Sequence, residues 1–365
     1  MRENRVTSLA YFVTPHGFGH ATRACAVMAA LQAEQPDTRF EIFTQVPRWV
    51  FNDSLTGPFG YHSVYTDVGL AQVSAMVEDL PKTIERLSEI YPFRKVLVQQ
   101  LAAQIQQLGC TAVLCDVAPL GIAVAKAAGV PSVLIENFTW EWIYETYAAE
   151  APGLWPHIEF LRGAFAAADY HIQTAPVCVP QVVDLTTTPV SRSPRTPIGV
   201  VREQLNIPPE AKAVLLTMGG IEPGQYPFLA QLPQQAEYFV IPGGSQDTII
   251  SEGGMRRLPH HSQFFHPDLL NACDAVVGKL GYSTLAEAYH AGLPFGYVPR
   301  SRLRESKILG PYVQRELSGI EISNAEFDEG RWLDVLPDLL TRPRVQRGVP
   351  NGSVEIAAFV SKWVE

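Results

Sequence analysis

The chain predicts an α/β protein of two Rossmann-like, doubly wound domains, and three observations carry that expectation. It opens as a βαβ unit: the run Ser8–Thr14, the turn His16-Gly17-Phe18-Gly19-His20, a helical face of Ala24, Val27, Met28 and Leu31, and the run Phe40–Thr44. The rhythm returns at Asp274–Pro294, DAVVGKLGYSTLAEAYHAGLP, where a short apolar run ends in glycine and Leu285, Ala286, Ala288 and Ala291 recur at helical spacing. Between them the proline-rich stretch Pro176–Pro209 blocks helices and marks a linker, placing a domain boundary near residue 190.

Composition sets the outer limits. At 365 residues the chain can build two ordinary cores, and 47% hydrophobic against 18% charged residues describes a folded protein. With 28 basic and 37 acidic residues the net charge is −9, which disfavours nucleic acid or anionic lipid as the main partner. Arg300, Arg302, Arg304 and Lys307 form a local basic cluster, whose spacing alone reads as a solvated loop. Cys25, Cys110, Cys115, Cys178 and Cys273 are odd in number, scattered and without a C-x-x-C pair, so free thiols in a reducing compartment are expected. No run approaches the roughly 20 apolar residues that span a bilayer, and the apolar run Leu9–Val13 is too short for a signal sequence. A cytoplasmic protein is expected.

The first glycine turn invites a dinucleotide reading, which the neighbouring residues oppose. That fingerprint wants a third glycine where this chain has Thr22, and an acidic residue after the second strand where it has Thr44 and Gln45. A nicotinamide cofactor is therefore not expected. Gly17 and Gly19 instead free the backbone around His20, at the sheet edge where open α/β folds bind ligands. Val73–Ile90 is amphipathic and reads as a surface helix with its connecting loop. Val96–Leu108 reads as a helix and Thr111–Cys115 as a strand ending at Asp116, followed by a helix that Gly129 stops. Asp116 either faces the crevice that His20 faces or caps the following helix, and residue types leave both open. After the strand Val133–Ile135, the segment from Glu136 to Trp142 concentrates polar groups and aromatic faces. These suit a sugar-binding wall or core packing.

Past the linker, Ala213–Thr217 and Glu237–Ile241 read as strands, the first running into Met218-Gly219-Gly220. His260, His261 and His266 lack an i, i+4 helical pair and no Asp-x-Asp is present, so no metal is expected. Ser283 and Thr284 suit the first turn of a helix, and its N–H groups, positive dipole end and Gly281 suit an anion such as a diphosphate. Lys279 stands beside that turn. Glu287, at i+4 from Ser283, shares its face and can accept hydrogen bonds from a ribose diol. Asn351–Glu365 reads as a closing helix.

Gly281 to Glu287, G-x-S-T-x-x-E, with Ala291-Gly292-Leu293-Pro294 after it, resembles the donor half of GT-B nucleotide-sugar glycosyltransferases. HGFGHATR, ENFTWEWIY and NGSVEIA extend the resemblance over essentially the whole chain, and it is greatest to the glycosyltransferase-like N-terminal region of plant L-arabinokinases. The resemblance implies a GT-B fold, with an acceptor domain over 1–190, a donor domain over 191–351, and a last helix, 352–365, crossing back to the first domain. It also implies roles. His20 and Asp116, 96 positions apart, resemble the catalytic pair of plant UDP-glycosyltransferases, in which the histidine deprotonates the acceptor hydroxyl and the aspartate orients the ring. The donor would be held by Gly219, Gly220, His266, Lys279, Gly281, Tyr282, Ser283, Thr284, Glu287 and Glu305, and the acceptor by His16, Phe18, Arg23, Asn137 and Trp140. Glu305-Ser306 departs from the acidic residue and glutamine that the family sets on the donor sugar, which leaves that sugar open.

The implied reaction is metal-independent, inverting transfer from a nucleoside-diphosphate sugar, a UDP-sugar by preference, to an acceptor hydroxyl with His20 as base. No cofactor is implied beyond that co-substrate. The implied partners are the nucleotide sugar and a small-molecule or glycoside acceptor, not nucleic acid. G-x-G-H-x-x-R, Gly17 to Arg23, also resembles nucleotide-sugar hydrolases of the same fold, 2-epimerases share the architecture, and a binding-only protein is a third reading.

Overall fold

The structure is a computed structural model that describes residues 7–74, 77–217, 227–259 and 261–361. Its contacts divide the chain into two compact units, Met1–Ser191 with Val349–Glu365, and Arg192–Gly348.

The first unit is built on a parallel sheet. β1 (Ser8–Val13), β2 (Arg39–Thr44) and β3 (Phe59–Ser63) step outward on one side. After a hairpin of β4 (Gln72–Ser74) and β5 (Val77–Glu78), the chain returns on the other side as β6 (Cys110–Asp116), β7 (Ser132–Glu136), β8 (Tyr170–Thr174) and β9 (Leu185–Thr187). The order is β3-β2-β1-β6-β7-β8-β9. All six residues of β1 are buried, which is why Leu9–Val13 within it is an unbroken apolar run and not an alternating one. Strand order reverses between β1 and β6, and at such a switch point the following loops diverge to leave a crevice. The register sets Val13 beside Asp116, so the turn that leaves β1 emerges next to that carboxylate.

The last helix, Gly352–Val360, completes the core of this unit. Ile356, Ala357 and Val360 join the cluster formed by Ala24, Val27 and Leu31 of the helix Gly19–Glu34. Asn351 caps it by accepting from the Ser353 N–H at 3.0 Å, and donates from Nδ2 to the Ser191 carbonyl at 2.9 Å. Glu355 accepts from the Thr188 N–H at 2.9 Å. A β-carbon at Gly352 would run into the Thr188 carbonyl oxygen, so the motif NGSVE is a docking joint in which only glycine fits.

Two sequence expectations change here. Val73–Ile90 is not one helix: the hairpin comes first, and the helix Leu80–Ile90 begins only where Asp79 accepts from the Lys82 N–H and Pro81 stands in the first turn. The stretch Pro176–Pro209 is not all linker, since it supplies β9 and the helix Ile198–Gln204.

The second unit holds β10 (Ala213–Thr217), β11 (Tyr238–Ser245), β12 (Ile250–Glu252), β13 (Met255–Pro259), β14 (Ala275–Lys279), β15 (Phe295–Val298) and β16 (Ile320–Glu321) in the order β12-β13-β11-β10-β14-β15-β16. β12 runs antiparallel at its edge, and the other pairings are parallel. The reversal falls between β10 and β14, and β14 leads through Gly281 into the helix Tyr282–Ala291. Gly292 ends that helix with φ +70°, and a β-carbon there would strike the Val345 carbonyl. All five cysteines are buried free thiols, and among the described residues no helix is long and apolar enough to cross a membrane.

Candidate functional site

Each unit carries its own cluster at its switch point. In the first, His20 lies in the opening turn of the helix after β1, and its Nδ1 is 2.8 Å from Asp116 Oδ1 at the end of β6. Nδ1–H donating to the carboxylate leaves the Nε2 lone pair outward, and no other described residue hydrogen-bonds that nitrogen. Arg23, one turn along the helix and 2% exposed, forks onto the same carboxylate, with Nε to Oδ2 and Nη2 to Oδ1 both at 2.7 Å. Its Nη1 donates to Asn137 Oδ1 at 2.8 Å. Burial by itself would raise the Asp116 pKa, but the Arg23 charge and the hydrogen bonds from Arg23 and His20 outweigh it and hold the group below the usual carboxylate range. Val117, the next residue, has φ +48°, a strained setting for a β-branched residue and the kind of outlier found where a site fixes the backbone.

An aromatic wall stands beside this pair. The His16 ring meets Trp140 edge-on at 5.0 Å, and His20 lies 5.9 Å from Phe138 and 6.3 Å from Trp140. Behind the wall, fully buried Asp67 accepts from Thr14 Oγ1 at 2.6 Å and from the Trp140 indole at 3.3 Å. Burial pushes the Asp67 pKa up to about 8, with the Asp116 charge adding to it and the two hydrogen bonds opposing it.

In the second unit, Glu287 on the helix Tyr282–Ala291 is a buried carboxylate with both oxygens engaged. Arg192 donates to Oε1 from Nη2 at 2.9 Å and from Nε at 3.2 Å, while His266 Nδ1 is 2.8 Å from Oε2. Burial opposes ionisation, yet the Arg192 and His266 charges and hydrogen bonds lower its pKa. Arg192 and Arg195 lie over the Phe265 ring at 4.9 and 3.7 Å, and Asp268 accepts from the Arg195 and Thr196 N–H groups at 2.7 and 3.1 Å. Gly281 starts the helix with no side-chain cap and nothing within 4 Å of where a β-carbon would stand. Lys279 ends β14 just before it.

The structure thus brings His16, His20, Arg23, Asp116, Asn137 and Trp140 together in one cluster, and His266 and Glu287 in another. Arg23 and Asn137 form the buried floor beneath His20 and Asp116, not an exposed contact surface. Phe18 turns to Trp49 at 5.5 Å. Tyr282 and Glu305 are buried, at 9% and 6% exposure, and Ser283 and Thr284 are half-buried in the first turn. Gly219 and Gly220 lie outside the described residues. The resemblance also allows Asp67, Gly69 and Gln72 to face the acceptor, but Asp67 is fully buried behind Trp140. Thr14, Arg192 and Phe265 were not expected as site residues; none belongs to a local motif, and each acquires its partner only through folding. Among the described residues no group of three or more His, Cys, Asp or Glu could hold a metal ion.

Two α/β units, each a mostly parallel sheet whose strand order reverses once, and a last helix that belongs to the first, define the GT-B architecture. The chain belongs to glycosyl transferase family 1, whose profile matches residues 7–339. It is 28% identical over 357 residues to an L-arabinokinase of Arabidopsis thaliana, covering 96% of this chain and 34% of that protein, so it spans about a third of the relative's length. Among solved structures, the calicheamicin glycosyltransferase CalG4 superposes with a TM-score of 0.65 at 13% identity, over 100% of this chain and 99% of the other. Medicago truncatula UGT71G1, solved with UDP-glucose, gives 0.64 at 12% identity, over 99% of each chain.

Proposed function

We propose that this protein transfers a sugar, with inversion and without a metal, from a nucleoside-diphosphate sugar to an acceptor hydroxyl. The observation that carries the proposal is the His20–Asp116 hydrogen bond of 2.8 Å at the first switch point. A hydroxyl is a poor nucleophile near neutral pH, and a base positioned on it contributes about 10²–10⁴-fold. His20 Nε2 takes the hydroxyl proton as the oxygen attacks the anomeric carbon, while Asp116 fixes the tautomer and offsets the imidazolium charge. The bond from the anomeric carbon to the diphosphate breaks, and its oxygen is received by the helix start at Tyr282–Thr284 and by Lys279. His16, part-buried and backed edge-on by the buried Trp140, offers its ring to the acceptor, and Trp140 positions that ring instead of touching the acceptor itself. UDP is the favoured nucleotide, since the relative UGT71G1 was solved with UDP-glucose.

One observation favours a second reading, a region that binds the nucleotide sugar without transferring it. Arg23 already neutralises Asp116, so the carboxylate supports the His20 imidazolium less than an unshared one would. Incubation with UDP-, dTDP-, GDP- and ADP-sugars and a panel of hydroxyl acceptors separates the readings. Glycoside formation that disappears in His20→Ala supports transfer. Release of free sugar without an acceptor points to hydrolysis, a changed sugar to epimerisation, and binding without turnover to the second reading.

A further inference from the structure

His16 and His20 both stand beside Trp140, but different partners hold them, and those partners fix opposite tautomers. A carboxylate only accepts, so the 2.8 Å contact with Asp116 puts the His20 proton on Nδ1. His16 meets a donor instead. The Leu70 backbone N–H points at its Nδ1 at 3.3 Å, and an N–H needs a lone pair to receive it. In a neutral imidazole whose Nδ1 accepts, the proton sits on Nε2.

The peptide that directs this choice is anchored at both ends. Its Gly69 carbonyl accepts from the buried Tyr144 hydroxyl at 2.6 Å, and Tyr144 stacks on Trp140 at 5.9 Å. Gly69 holds φ +61°, and a β-carbon there would stand 2.6 Å from His16 Cγ and Nδ1, so only glycine lets the peptide lie against the ring. Val68, Leu70 and Ala71 are buried around it, and the Ala71 N–H donates to Thr83 Oγ1 at 3.0 Å. Protonating His16 Nδ1 would set N–H against N–H in this loop, which disfavours the imidazolium as well. Nε2 lies across the half-buried ring from that peptide.

We propose that His16 is the hydrogen-bond donor of the acceptor site: its Nε2–H holds an oxygen lone pair next to the hydroxyl whose proton His20 Nε2 removes. The inference rests on the transfer reading above and deepens it by naming the acceptor class. One ring gives a hydrogen bond and the other takes a proton. A substrate that satisfies both carries a hydroxyl with a second oxygen beside it, as the vicinal diol of a sugar or polyol does. An isolated hydroxyl leaves the His16 N–H without that oxygen, and a site built to donate discriminates against a ligand that cannot accept. His16 cannot replace His20 as base, because its Nε2 has no lone pair while Leu70 occupies Nδ1.

Nitrogen-15 NMR of the histidine rings, assigned with His16→Gln and His20→Gln, reads both tautomers in the wild-type protein without any substrate. The expected result at neutral pH is a protonated Nε2 at His16 and a protonated Nδ1 at His20. A proton on Nδ1 of His16 overturns the proposal. Transfer from UDP-, dTDP-, GDP- and ADP-glucose to methyl pyranosides, cyclic vicinal diols and the matching single alcohols tests the selection. His16→Phe, which keeps a ring and loses the donor, should lower kcat/KM for the diols about tenfold or more and leave the single alcohols nearly unchanged. His16→Gln, whose amide can donate, should recover part of the diol rate. Wild-type preference for the single alcohols, or equal losses on both classes in His16→Phe, overturns the donor role and leaves the transfer reading standing. No transfer by the wild type to any acceptor removes the transfer reading and the acceptor class with it, whereas the tautomer is decided by the ring nitrogens alone.

Discussion

His20 Nδ1 and Asp116 Oδ1 lie 2.8 Å apart across 96 positions of sequence, and the strand register brings them together. β1 and β6 are neighbours at the point where strand order reverses, so a histidine leaving one and a carboxylate ending the other must share a crevice. If the pair works as base and orienter, His20→Ala lowers kcat/KM by about 10²–10⁴-fold with little change in thermal stability. Unchanged turnover in a folded His20→Ala protein would falsify the role.

Arg23 is the structural keystone of that pair. Its removal strands a fully buried carboxylate, so Arg23→Met should cost about 3–5 kcal/mol of stability, read by urea unfolding. The pH dependence has a defined sign. The Asp116 pKa is depressed in the fold, so its contribution to stability is present above the ordinary carboxylate pKa and is lost as pH falls through the lower folded value. Without Arg23 the Asp116 pKa rises, and the acid limb of the activity profile should move to higher pH. An acid limb that stays in place would show that Asp116 ionisation does not govern it.

Asp67 should respond in the opposite direction. Its pKa rises from 3.8 to about 8 on folding, so the folded state holds the extra proton between those values. Stability should therefore fall as pH climbs from about 4 to about 8 and level off above that range. Asp67→Asn carries no titrating proton and should flatten this part of the stability curve. The measurement is urea unfolding at several pH values, and parallel curves for wild type and variant would exclude Asp67 as the source.

Gly352→Ala tests the docking joint of the last helix. The added methyl meets the Thr188 carbonyl, and the displaced backbone should cost about 1–3 kcal/mol, visible as a lower Tm. Asn351→Ala removes a cap that also ties Ser191 and should cost about 1 kcal/mol. A Tm unchanged in Gly352→Ala would mean that this backbone approach relaxes without cost.

The parallel core strands were legible in the sequence because their signal is local: an unbroken apolar run of about five residues is too short for a buried helix, and the glycine turn or charged residue after it marks where a strand ends. The helix start at Gly281–Thr284 was legible for the same reason, being written in consecutive residues. The burial of Asp67 was not, since it stands in a segment of weak periodicity and becomes a buried acid, not a residue facing the acceptor, only when the chain sets it behind Trp140. Arg192 was hidden in the proline-rich stretch, where nothing local marks it as the partner of Glu287.

The sequence by itself determined the α/β class, the two glycine turns and the residue types at each strand end, because helix and strand periods and turn chemistry act over a few neighbouring residues. Only the tertiary structure decided which charges meet. Strand order joined Asp116 to His20 and Arg23. Packing against the linker turned Glu287 from an open acceptor into the counter-ion of Arg192 and His266. Charge pairing depends on distance through space and on burial, and neither is a property of the residues adjacent in the chain.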